Sequence, residues 1–187
     1  MLGLAAVVVV ACGGRLSNLA HVEVHGKAAI LGAFALQLLI ITIAPKAFPA
    51  WVDTAVHLGT YALAVAFVWA NRRLPNLWIM ALGGALNLAA IAANGGEMPA
   101  SRRALVAAGK PVVHQGFVNS TPVPHAHLAF LGDVFSIPKG IPFANVFSVG
   151  DVLLAIGAVA LLAGICGCPR IAALDRLVRG HDRPVYS

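Results

Sequence analysis

The sequence predicts an all-α fold: a polytopic bundle of four to five transmembrane helices, with a small irregular extracytoplasmic cap and a C-terminal interfacial helix. Three observations predict it. Apolar residues make up 59% of the 187 positions and charged ones only 11%, with a mean hydropathy of +0.85, which is less charge than a water-facing domain of this length carries. The apolar residues fall into runs of helical length. The 13 Lys and Arg residues give a net charge of +6 but are scattered between those runs. That scatter forms no single basic face, excludes nucleic acid as a partner and points to lipid head groups.

A bilayer core of ~30 Å takes about 20 apolar residues in a helix whose backbone bonds close within the segment. The opening run, 2–16, reaches Cys12 and continues through Gly13 and Gly14 to Leu16. Runs over 28–44, 54–70, 76–93 and 148–166 follow. An N-terminus outside and a C-terminus in the cytoplasm put Arg15, Lys27, Arg72, Arg73, Arg170, Arg176, Arg179 and Arg183 inside, against Lys46, Arg102, Arg103, Lys110 and Lys139 outside. The chain 1–187 then forms one membrane domain. Within it, 94–147 is too long for a plain connection, and Phe117, Phe130, Phe135 and Ile137 are too apolar to leave in water. A folded cap is expected there, with a short helix over Ser101–Ala108 and an extended Pro-rich remainder. In the tail, 169–187, Ile171, Leu174, Leu177 and Val178 share one helical face, as in an interfacial anchor. Cys12, Cys166 and Cys168 sit at the ends of apolar runs and read as reduced thiols.

Polar residues in or beside apolar spans ask for an explanation. His57 opens the third span, Asn94 closes the fourth, Glu97 follows it, and Asp151 lies in the first turn of the fifth; His125, His127 and Asp133 belong to the cap above them. The predicted topology gathers all of these at one polar mouth. Asn87 and Asn94, nearly two turns apart, share a helix face. Asn87 either bonds across helices, with Gln37 as a partner, or lines the pocket. Asn94-Gly95-Gly96-Glu97-Met98-Pro99 is a sharp helix exit; alternatively, Gly95 and Gly96 let a ligand approach the backbone while Asn94 orients it. Asp133 and Asp151, brought together out of water, would share a proton and activate a water for hydrolysis. Ser148 and Asp151 also fit a capping box on their own, so both readings stay open. His125 and His127 alternate in an extended segment where Asp133 or Glu97 could add oxygen for zinc, but Pro122 and Pro124 place them in a surface loop; no metal and no cofactor is expected.

Several phrases carry a resemblance across nearly the whole chain: Gly13-Gly14-Arg15-Leu16-Ser17-Asn18, Asn71-Arg72-Arg73-Leu74-Pro75, Asn94-Gly95-Gly96-Glu97-Met98-Pro99, Leu131-Gly132-Asp133, and Asn145 through Gly157. Together they resemble an uncharacterised family of actinobacterial integral membrane proteins, which implies the bacterial plasma membrane and transfers no activity. Phe147-Ser148-Val149-Gly150-Asp151, running on to Gly157, is also similar to the last-helix motif of the bacterial lipoprotein signal peptidases. That similarity implies aspartic chemistry, with Asp151 as the second carboxylate and Asp133 near the place of the first. The chain departs from their pattern in having Ser148 where Asn is expected and no Asn-x-x-Asp-Arg phrase.

Three functions fit these residues. The one that asks least of the geometry is a non-catalytic ligand-binding, lipid-binding or structural membrane subunit with a polar pocket, whose partners are membrane lipids, another protein or a second copy of itself. The second is a membrane-embedded aspartic hydrolase using Asp133 and Asp151, with Asn94 orienting substrate. The third, a transporter or channel, would call for charges near the centre of a span, and there are none.

Overall fold

The structure, a computed structural model, describes residues 2–32, 35, 50–112, 120 and 122–169. In chain order these form α1 (Leu2–Ala11), a 3₁₀ turn (Leu16–His21), α2 (Ala50–Ala70), α3 (Leu77–Ala93), α4 (Arg102–Ala107), a second 3₁₀ turn (Ala129–Leu131), strands β1 (Phe135–Ile137) and β2 (Asn145–Phe147), and α5 (Val149–Ile165).

The centre is the pair α3 and α5, packed antiparallel. Gly150, Gly157 and Gly164 recur every seven residues along α5, close to two turns, and so line one face. A Cβ on Gly157 would lie 2.6 Å from Met80, and one on Gly164 2.7 Å from Pro75. Gly83 answers from α3: a Cβ there would sit 2.6 Å from the Gly150 carbonyl and 2.9 Å from the Leu154 amide. Small residues therefore let the two backbones touch. Asn76, at the start of α3 with φ 58°, donates from its buried Nδ2 to the Ala160 carbonyl at 3.1 Å and pins that end.

The other helices attach at the two ends of this pair. The far end of α1 packs Val9 against Ala163, Cys166 and Cys168, and the Arg15 amide donates to the Cys166 carbonyl at 2.7 Å. On α2, Tyr61 packs against Ala90, Ile91 and Met98. Asn71, just past α2, clamps the backbone of His25, donating to its carbonyl at 2.9 Å and accepting its amide at 2.8 Å. The 94–147 region holds a small core of Ala104, Leu105, Ala108 and Val146. Its hairpin pairs Phe135 with Phe147, Ser136 with Val146 and Ile137 with Asn145. The two phenyl rings stack at 5.5 Å. This hairpin corrects the all-α expectation: Phe135-Ser136-Ile137 alternates with period two and is rich in strand formers, a signal too short to stand out beside the neighbouring prolines.

Among the described residues no helix is long and apolar enough to cross a membrane. This overturns the transmembrane bundle, and with it the multi-pass plasma-membrane placement, the N-out, C-in topology, and the description of 94–147 as extracytoplasmic. The reason lies in length and composition. α3 and α5 have 17 residues each and rise about 26 Å, short of a ~30 Å hydrocarbon core. α1 has 10 residues and is followed by Gly13 at φ 76°. α2 has 21, but Asp53, Thr54, His57, Thr60 and Tyr61 interrupt its apolar sequence. Much of the apolar content of α3 and α5 is Ala and Gly, used here for close helix contact. The expected span over 28–44 falls largely outside the described residues, as do Gln37, Phe117 and the tail beyond 169.

Candidate functional site

Four separate parts of the chain bring polar side chains together at the N-terminal end of α5. The first is the helix start. Ser148 is the N-cap of a reciprocal capping box: its Oγ accepts the Asp151 amide at 2.9 Å while Asp151 Oδ2 accepts the Ser148 amide at 2.9 Å. The two side chains satisfy amides that helix geometry leaves without partners. The second part is Asn87 of α3. Its Nδ2 donates to Asp151 Oδ1 at 2.8 Å, and its Oδ1 accepts from Ser148 Oγ at 2.8 Å. Asn87 reaches this far because Gly150 lies beneath it; any Cβ there would overlap the Asn87 carboxamide.

The third part is Asp133, held by backbone. Its amide donates to the Pro99 carbonyl at 2.8 Å, and its carbonyl accepts the Ser101 amide at 3.0 Å. Gly132 makes that approach possible, since a Cβ there would collide with the Pro99 carbonyl. Asp133 is 4% exposed, and its Oδ2 accepts from Ser120 Oγ. The fourth part is Tyr61 of α2, within electrostatic reach of Asp151.

The electrostatics follow from burial. Removal from water pushes the Asp133 carboxyl up to about 6; the Ser120 hydroxyl pulls it down, and the negative charge of Asp151 pushes it further up. Burial and Asp151 likewise push the Tyr61 phenol up to about 12, so it stays protonated. Asp133 thus feels the negative charge of Asp151. Two unlike environments result: a carboxyl that holds its proton into mildly acidic solution, and a carboxylate fixed through both oxygens by amide donors.

The other expected site residues are placed differently. Asn94 caps α3, where its Nδ2 donates to the Ala90 carbonyl at 2.7 Å and to the His127 carbonyl at 2.8 Å, while its Oδ1 accepts the His127 amide at 2.9 Å. Its carboxamide is therefore occupied by backbone. Gly95 and Gly96, at φ 69° and 99°, turn the chain out of α3, and the Gly96 amide returns to the Ile91 carbonyl at 2.9 Å. Glu97 is half-buried beside them. His125, with φ 53°, and His127 are exposed. Among the described residues no group of three or more His, Cys, Asp or Glu could hold a metal ion. His57 lies on α2, and its side chain falls outside the described residues. Sequence reasoning missed Tyr61 and Ser120. Tyr61 could have been found, because it follows His57 by one helical turn on the same face of an otherwise apolar segment; Ser120 carries no sequence signal.

Residues 21–163 match the model of DUF5317, a family of unknown function. The chain belongs to this family. An uncharacterized protein of Thermotoga maritima is 29% identical over 146 residues, covering 77% of each chain. No solved structure matches the chain. The family match takes in both carboxylates, Asn87 and Tyr61. It bears out the expectation of an uncharacterised family; actinobacterial origin is no part of either match.

Proposed function

We propose that this chain is a hydrolase of the aspartic-dyad class, cleaving an amide or ester with Asp133 and Asp151. The observation that carries the reading is a carboxyl group, Asp133, that is 4% exposed and raised to about 6 by burial first and further by the charge of a second carboxyl group, Asp151. Such a pair costs folding stability, and sites that give up stability this way are commonly functional. Division of labour follows from the two environments. Asp151, oriented by Asn87 and the Ser148 amide, accepts a proton from a water whose oxygen attacks the substrate carbonyl carbon. Protonated Asp133 donates its proton to the carbonyl oxygen; as the carbon–nitrogen or carbon–oxygen bond breaks, the leaving amine or alcohol takes the proton that Asp151 received, and a hydroxyl of the resulting diol returns a proton to Asp133. The neutral Tyr61 phenol keeps a hydrogen-bond donor near Asp151. The similarity of 147–157 to a motif of aspartic peptidases supports the same reading.

A second reading, a non-catalytic ligand-binding or structural module, is favoured by the burial of Asp133 and by the hydrogen bonds that already fill both Asp151 oxygens. A panel of quenched-fluorescent peptides and chromogenic esters, assayed from mildly acidic to neutral pH, separates the two. The hydrolase reading predicts turnover that rises as the pH falls towards about 6 and is lost in both Asp133→Asn and Asp151→Asn. Binding of a statine-containing peptide that requires both carboxylates would support it as well. Folded variants that match the wild type in both assays would favour the binding or structural module.

A further inference from the structure

The chain has three cysteines, and all three meet at the end of the molecule opposite the carboxylates. Cys12 follows α1, Cys166 caps the C-terminal end of α5, and Cys168 comes just after it. Cys166 and Cys168 are buried and Cys12 is partly exposed. They share one apolar cluster with Val9 and Ala163. The Cys168 thiol donates to the Val9 carbonyl at 3.5 Å, and Cys12 packs against the same cluster. Gly14 makes room for the sulfur, since a Cβ there would sit 2.7 Å from Cys168 Sγ. The Arg15 amide on the Cys166 carbonyl at 2.7 Å joins the two chain segments, and each segment closes its own turn, the Gly14 amide on Val9 at 2.9 Å and the Cys168 amide on Ala163 at 2.9 Å.

We propose that Cys12 and Cys168 are a redox pair, converted by a small-molecule disulfide into a bond that ties the end of α1 to the segment after α5. Gly14, two residues after Cys12, lies against the Cys168 sulfur, which selects this pair over either combination with Cys166. Entry is at Cys12, the partly exposed member; burial pushes the Cys166 and Cys168 thiols up and keeps them out of reach. Cys12 sulfur attacks one sulfur of the small disulfide, forms a mixed disulfide and expels the first small thiol, which carries away the Cys12 proton. Cys168 sulfur then attacks Cys12 Sγ, expelling the second small thiol with the Cys168 proton. Two protein thiols lose two electrons and two protons, and the small disulfide gains them. The joined segments lie outside residues 21–163, the part matched by the family, so the pair stands apart from the proposed dyad.

The test is incubation of the full chain with oxidised glutathione, followed by thiol counting after denaturation and peptide mapping. The expected result is a fall from three free thiols to one, with Cys12 joined to Cys168 and Cys166 free, reversed by a reducing agent. Cys12→Ser, a conservative change at a partly exposed position, should keep both of its remaining thiols under the same treatment. Three surviving thiols in the wild type, a reaction that stops at glutathione on Cys12, a link mapped to Cys166, or thiol loss in Cys12→Ser would each overturn the proposal.

Discussion

Asp133 holds a carboxyl group out of water beside a second carboxylate, and the pH dependence of folding reports what that costs. Its value of about 6 lies above the 3.8 of an unfolded chain, so from about pH 4 to about pH 6 the native state keeps a proton that the unfolded state has released. Stability therefore falls as pH rises through that window, by about 3 kcal/mol in total at about 1.4 kcal/mol per unit. Asp133→Asn removes the titration while preserving shape and an acceptor for Ser120. Urea unfolding should find this variant more stable than the wild type above about pH 6, by about 1–3 kcal/mol, with the difference closing below about pH 4. A variant destabilised equally at both pH values would mean that the carboxylate serves only to hold structure. Asn94 belongs to the opposite kind of residue. Its three backbone hydrogen bonds tie the end of α3 to the exposed backbone of His127, where water replaces the lost carboxamide, so Asn94→Ala should cost about 1 kcal/mol in the same measurement at every pH.

At the scale of elements, the contact between α3 and α5 decides whether the site exists. Gly83 and Gly84 are neighbours in sequence with opposite surroundings. A Cβ on Gly83 meets backbone of α5 at 2.6 Å, whereas one on Gly84 meets nothing within 4 Å. Backbone cannot move aside as a flexible side chain can, so Gly83→Ala should destabilise by about 1–3 kcal/mol. Gly84→Ala should stabilise by about 0.5–1 kcal/mol, since it adds no clash and removes the entropic penalty of glycine in a helix. Thermal melts of the two variants compare them directly; equal shifts would show that the helices do not pack through this face. Much of this level was legible in the sequence. The helix positions follow the apolar runs, and their ends follow local chemistry: the Ser148 cap, the Gly95-Gly96 exit, the Asn71–Pro75 turn. What a helix packs against was not legible. An apolar run looks the same whether its partner is lipid or another helix; the seven-residue glycine spacing of α5 is the sequence feature that marks the face held against α3.

For the molecule as a whole, both aspartates of the candidate site could be read from the sequence, but their meeting could not. Asp133 is fixed by a bridge to Pro99 and Ser101, a pairing with no local signature. Asn87 reaches Asp151 and Ser148 because Gly150 leaves room for its carboxamide. Tyr61 enters from α2, an element distant in sequence from both carboxylates. The account rests on Asp133 and Asp151 acting as one coupled pair. The most direct test is a carbon NMR titration of the Asp133 carboxyl in the wild type, Asp151→Asn and Ser120→Ala. The account predicts a wild-type midpoint of about 6, a lower midpoint once the Asp151 charge is removed, and a higher one once the Ser120 hydroxyl is removed. A midpoint in the ordinary aspartate range, unmoved by Asp151→Asn, would contradict it.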